Sequence, residues 1–128
     1  MSIVAIGTDI TRVDRLEAAY GRHGERLLER VFTANERAYC DRRKAARFTH
    51  YAGRFAVKEA VMKVLGTGWR LGVRWVDIEV QRASGQAPEL RLHGKSAEHA
   101  RRRGIEKVHI TITHDAGLAL AVAVGERG

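Results

Sequence analysis

GRFAVKEAVMKVLGTG, residues 53–68, is the most apolar helical stretch of the chain, yet Arg54, Lys58, Glu59 and Lys63 are set into it. At about 3.6 residues per turn, Tyr51, Phe55, Val57, Val61, Met62, Val64 and Leu65 point to all sides, the pattern of a mostly buried helix. Glu59 and Lys63 lie one turn apart on one side, and Arg54 and Lys58 one turn apart on nearly the opposite side. Each pair interrupts an apolar surface. In an arbitrary helix Glu59 and Lys63 would form an i,i+4 ion pair contributing about 0.3–0.5 kcal/mol. The surrounding sequence decides whether they do more.

Working outward, residues 2–6 (SIVAI) read as a short buried strand ending at Gly7, which leaves Asp9 just beyond it. Thr11-Arg12-Val13-Asp14 has the form of a capping box and opens a helix to about Tyr20, punctuated by Gly21 and Gly24. Thr33-Ala34-Asn35-Glu36 is a cleaner capping box, starting a helix to about Arg43. The buried helix occupies residues 45–65 and stops at Gly66-Thr67-Gly68. Residues 75–82 and 89–93 alternate about the turn residues 83–88 and read as an antiparallel hairpin. A short helix over 95–103 ends at Gly104. A second hairpin follows, with Val108, Ile110 and Ile112 on one arm, LALAVAV on the other and His114 at the bend. A strand, several helices and two hairpins predict an α+β fold with antiparallel sheet and packed helices.

Length and charge narrow the function. A chain of 128 residues predicts one domain spanning 1–128, with one core. No segment has the length of a membrane span, and the N-terminus lacks the marks of a signal peptide, so a cytoplasmic protein that does not engage membrane is expected. Cys40 is the only cysteine and cannot form an internal disulfide. A net charge of +8 calls for an acidic partner. Aromatic content of 6%, with no cluster on a basic strand, argues against a stacking platform for nucleic acid.

Asp9 by itself is an ordinary Asx-turn or cap residue. If the buried helix packs beside the first strand, however, Asp9 and Glu59 meet, and two carboxylates at one point repel unless a cation lies between them. Few hard oxygen ligands with no His or Cys suit Mg²⁺ rather than zinc. Lys63 then offers a phosphate grip beside the metal, and Gly66, Thr67 and Gly68 let backbone approach a ligand. Those glycines are not a P-loop, because no strand leads into them and the lysine precedes them; an ordinary helix cap is the simpler account. His114 and Asp115 are adjacent on extended chain and face opposite ways, which disfavours a charge relay, and no Ser or Cys stands in a nucleophile context. Arg12, Arg15, Arg22 and Arg26 recur at near-helical spacing: a solvated face, or a dock for an acidic helix. A basic polyanion- or nucleic-acid-binding module without catalysis is the alternative function.

Ile6-Gly7-Thr8-Asp9-Ile10 with Arg15, Gly53-Arg54-Phe55-Ala56-Val57-Lys58-Glu59-Ala60 running to Leu65-Gly66-Thr67-Gly68, and Ile112-Thr113-His114 together resemble the holo-acyl-carrier-protein synthase family, in order and over essentially the whole chain. Val57, where a small alanine is expected, is a minor departure. The resemblance implies a 4′-phosphopantetheinyl transferase-like fold. It also implies transfer of the 4′-phosphopantetheine arm of coenzyme A to a serine of an apo acyl carrier protein, releasing adenosine 3′,5′-bisphosphate in a step of cytoplasmic fatty acid biosynthesis. It assigns Mg²⁺ to Asp9 and Glu59, catalysis to Glu59, Asp9 and Lys63, and coenzyme A contacts to Arg54, Lys58, Lys63, Gly66, Thr67, Gly68 and His114. Carrier docking falls to Arg15, Arg22 and Arg26, and the assembly to a homotrimer with sites at subunit interfaces. Glu59, Asp9 and a metal-bound water all stay candidates for the base.

Overall fold

The first strand, β1 (Ser2–Arg12), runs well past Gly7, so Asp9 lies within it rather than after it. The reason is pairing: β1 lies antiparallel along β5 (Leu118–Arg127), with Gly7 opposite Ala123, Asp9 opposite Ala121 and Arg12 opposite Leu118. That ladder supplies backbone partners that the short apolar run did not advertise. β5 also pairs with β4 (Lys107–Asp115), giving a sheet in the order β1-β5-β4. β2 (Ile78–Gln81) and β3 (Glu89–Leu92) form a separate two-stranded antiparallel sheet, the first predicted hairpin; Trp75–Asp77, expected as strand, is a 3-10 turn. These elements are seen in a computed structural model that describes residues 1–83 and 85–128, so Ser84 in the expected turn lies outside the described residues.

The helices are α1 (Val13–His23), α2 (Glu25–Val31), α3 (Ala34–Asp41), α4 (Arg47–Leu65) and α5 (Gly94–Arg102). The Thr33–Glu36 capping box forms reciprocally at the start of α3. The one expected at Thr11 does not: Arg12 is the residue before α1, and no side chain caps it. α4 ends as predicted, with Gly66 in the left-handed region at φ 75°, a conformation that a Cβ would penalise.

α4 lies across the inner face of the three-stranded sheet. Ala119, Ala121 and Ala123 of β5 alternate toward it, fully buried, and their small size lets helix and sheet approach closely. Gly7 permits the closest approach, since a Cβ there would run into the Ala60 carbonyl oxygen. Both apolar clusters draw on α4: Tyr51 and Ala52 pack with Leu28, Phe32 and Cys40 beneath α1–α3, while residues 56–65 pack with Ile78, Val80 and Ile105. The outer face of β1 carries Ile6 and Ile10, which are 64% and 60% exposed.

Candidate active site

Asp9, on the inner face of β1, is held by Thr11, whose Oγ1 donates to Asp9 Oδ2 at 2.9 Å. Lys63 of α4 donates from Nζ to the Thr8 carbonyl at 2.7 Å and stands 3.7 Å from Asp9 Oδ1. Glu59, one turn before Lys63, is half-buried beside them. Burial first, and then the negative charge of Asp9, push the Glu59 carboxyl above its usual range, against the pull of Trp75 and Lys63. Strand and helix thus bring together two carboxylates that repel each other, with one ammonium alongside.

Asp9, Thr11 and Glu59 line a cleft of about 510 Å³. Its walls are apolar at Leu16, Ala19 and Phe55 and basic at Arg15 and Arg22. Arg22 also faces a neighbouring hollow with Arg26 and Arg30, so the arginine row of α1 and α2 continues outward from the cleft. Among the described residues no three His, Cys, Asp or Glu side chains gather as a metal cluster. The donor set at Asp9 and Glu59 fits an ion that takes few protein oxygens and completes its shell with water and phosphate, which is the behaviour of Mg²⁺.

The opposite side of α4 carries a second basic cluster. Arg54 is 3% exposed; its guanidinium lies 4.0 Å from the Tyr39 ring centre and has at Nε a buried donor without a partner among the described residues. Arg43 sits 4.3 Å from the same ring. His50 contacts Tyr39 edge-on, and His114 lies 5.8 Å from His50. Burial, together with the charges of Arg54 and Arg43, lowers the His50 pKa.

Three expectations require correction. Lys58 is fully buried and donates to Glu36 Oε1 at 2.8 Å, Ile78 O at 2.6 Å and Trp75 O at 3.0 Å. With its three protons used inside the core, it does not reach a phosphate. Gly66, Thr67 and Gly68 make the ordinary cap: the amides of Gly66 and Thr67 bond Lys63 O and Met62 O, and the Thr67 hydroxyl turns onto Gly68 O. Neither the amides of Gly66 and Thr67 nor that hydroxyl are left for a ligand. His114 sits at the end of β4 rather than in the bend, which is Ala116-Gly117. Sequence reasoning missed Thr11, whose capping-box pattern concealed its bond to Asp9. It also missed Tyr39 and His50, which gave no spacing signal.

Fold and site together set two carboxylates and a lysine side by side at one cleft of an α+β scaffold. The family model of the 4′-phosphopantetheinyl transferase superfamily matches residues 5–123, and the chain belongs to that family. It is 50% identical over 127 residues to the holo-[acyl-carrier-protein] synthase of Anaeromyxobacter sp. strain K, covering 97% of this chain and 96% of the relative. The crystal structure of holo-[acyl-carrier-protein] synthase from Neisseria meningitidis superposes with a TM-score of 0.88 at 27% identity, covering 98% of this chain and all of that one. The Helicobacter pylori synthase in complex with coenzyme A superposes at 0.81 with 31% identity, covering 95% of this chain and 100% of that one.

Proposed function

We propose that this chain transfers the 4′-phosphopantetheine group of coenzyme A to a serine of an apo acyl carrier protein, using a Mg²⁺ ion held by Asp9 and Glu59. The observation that carries the reading is the meeting of Asp9, Glu59 and Lys63 at an apolar cleft rimmed by arginines. The family relationship and the coenzyme A complex of a relative support it.

In the reaction the serine oxygen attacks the β-phosphorus of coenzyme A, the bond from that phosphorus to the bridging oxygen breaks, and adenosine 3′,5′-bisphosphate leaves. Charge grows on the phosphoryl and leaving oxygens. When bound, Mg²⁺ neutralises pyrophosphate charge. Lys63, 3.7 Å from the Asp9 carboxylate, adds a positive point charge beside those oxygens. Thr11 fixes one Asp9 oxygen, and the serine proton passes to a carboxylate oxygen of Asp9 or Glu59. Leu16, Ala19 and Phe55 offer apolar surface to the pantetheine arm, and Arg15, Arg22 and Arg26 meet acidic side chains of the carrier helix.

Arg54 and Glu59 leave α4 on opposite sides, so one coenzyme A does not engage both within a single subunit. We assign Arg54, His50 and His114 to the nucleotide phosphate of a coenzyme A whose pyrophosphate lies in a neighbouring subunit of a homotrimer. The exposed Ile6 and Ile10, opposite Val124 and Leu120 on the free sheet face, offer an apolar surface for that assembly. Residues 1–128 act as one domain, in the cytoplasm, where a lone buried Cys40 without a disulfide is at home.

The test is intact-mass spectrometry of an apo acyl carrier protein incubated with this protein, coenzyme A and Mg²⁺, with and without chelator. A carrier heavier by one phosphopantetheine, only when metal is present, is the expected result. An unmodified carrier across several carriers, with salt-sensitive nucleic-acid affinity instead, would favour the polyanion-binding alternative.

A further inference from the structure

Trp75 carries an indole Nε1–H that is buried and has no hydrogen-bond partner among the described residues. The rest of the residue is firmly held. Its carbonyl accepts from Lys58 Nζ at 3.0 Å and from the Ile78 amide, and its ring stacks on Phe55 with centroids 6.4 Å apart and planes 27° apart. Phe55 lies one turn before Glu59 on α4, and both line the cleft. The two residues that fix Trp75 are therefore Lys58, the chain neighbour of Glu59, and Phe55, its neighbour on the helix face. Buried donors are costly to leave unmet, and the Glu59 carboxylate, one turn beyond the stacked Phe55 on the same helix face and drawn down in pKa by Trp75, is the acceptor that this placement offers.

We infer that Trp75 is a positioning residue: its indole N–H closes onto one carboxylate oxygen of Glu59 when the cleft is loaded, leaving the other oxygen turned toward Asp9. A carboxylate with one oxygen held by a fixed donor presents the second in a defined direction, as partners behind metal ligands and reacting groups do. The ring already has its stack and its anchored backbone, so closure asks for a small side-chain movement of Glu59 rather than a rearrangement of the fold.

The kinetic part of the test rests on the transfer reading; the spectroscopic part does not. In the ¹H–¹⁵N spectrum the chain shows two indole resonances, from Trp69 and Trp75, assigned with Trp69→Phe. In the ligand-free, metal-free protein, Glu59→Ala is expected to shift the Trp75 indole resonance and leave that of Trp69 in place. Adding coenzyme A and Mg²⁺ to the wild type should move the Trp75 proton downfield and slow its exchange with solvent, and Glu59→Ala should abolish both effects. Trp75→Phe keeps the stack and removes the donor. Its kcat should fall about tenfold, with KM for coenzyme A within about twofold, the pattern of an interaction strengthened in the transition state. A Trp75 resonance indifferent to Glu59→Ala, or a ligand-induced shift that persists in Glu59→Ala, overturns the inference even if Trp75→Phe fails to fold. If no carrier is modified, the transfer reading falls, and the ligand-free comparison still decides whether Trp75 and Glu59 interact.

Discussion

Lys58 and Glu36 form an ion pair of 2.8 Å in which both side chains are wholly shielded from water. Glu36 is saturated around it: Oε1 also accepts from the Thr33 amide at 2.8 Å, and Oε2 from the Val80 amide at 2.8 Å. The pair joins the start of α3 to α4 and β2, and so sets the rotation of α4 that turns Glu59 toward Asp9. Burial pushes the Lys58 pKa down even though the Glu36 charge opposes it, which marks how much desolvation the pair withstands. Removing one partner strands the other, so Lys58→Ala should cost about 3–5 kcal/mol in urea unfolding. A loss below about 1 kcal/mol, the range of an exposed pair, would show that the charges are hydrated in solution.

The helix pattern revealed the burial of α4 but not the division of labour between its two charged sides. A wheel places Lys58 about 100° from Glu59, on the side of Arg54; only the packing of α3 and β2 against that side turns Lys58 from an expected phosphate ligand into a core residue. Glu36 was visible only as a cap partner, because its second oxygen is used by an amide far along the chain. Asp9 and Glu59 were legible as a pair because a carboxylate near a strand and one on a buried helix have a shared chemical use. Gly7 gave no such sign, since a glycine needed for close approach looks the same in sequence as one that ends a strand.

At Gly7 the consequence is direct. In Gly7→Ala the new methyl meets the Ala60 carbonyl, so β1 and α4 must separate, moving Asp9 away from Glu59. Overpacking of this kind should cost about 1–3 kcal/mol of stability, with transfer activity falling further than stability alone explains. Thermal melts and carrier modification at a temperature where the variant is folded would check it; full activity in a folded variant would mean that the spacing of strand and helix is not critical.

Asp9→Asn and Glu59→Gln should each lower metal-dependent transfer at least about 100-fold, since each removes an anionic oxygen from the charge-stabilising centre. Both should leave the circular dichroism unchanged and relieve the carboxylate repulsion, raising rather than lowering stability. Thr11→Val leaves both carboxylates but frees Asp9 Oδ2, and should weaken Mg²⁺ binding about 10- to 100-fold by calorimetry. Wild-type Mg²⁺ affinity in Asp9→Asn would remove the metal assignment.

Cys40 has no exposed surface, and burial pushes its thiol up to about 12. At neutral pH almost none is thiolate, the reactive form. A thiol-specific reagent should therefore label native protein only at the rate of unfolding and label urea-unfolded protein at once. Rapid native labelling would require the cluster beneath α1–α3 to open locally.

His50 offers a reading of the second basic cluster. Burial, then Arg54, Arg43, His114 and Arg82, hold its pKa below the ordinary value of 6.5. The folded protein thus keeps His50 neutral where the unfolded chain takes up a proton. Its contribution to stability is therefore unchanged above pH about 6.5 and is lost as the pH falls below that value toward the folded pKa. His50→Gln should flatten the acid side of the stability profile in this window. An anion seated on Arg54 and Arg43 cancels the positive charge facing the ring, so adenosine 3′,5′-bisphosphate should raise the His50 pKa in an NMR titration. Because the cluster lies across α4 from Glu59, the shift should persist in Glu59→Gln. A His50 pKa that the bisphosphate leaves unmoved, while the ligand demonstrably binds, would put the nucleotide somewhere other than the Arg54 side of the helix.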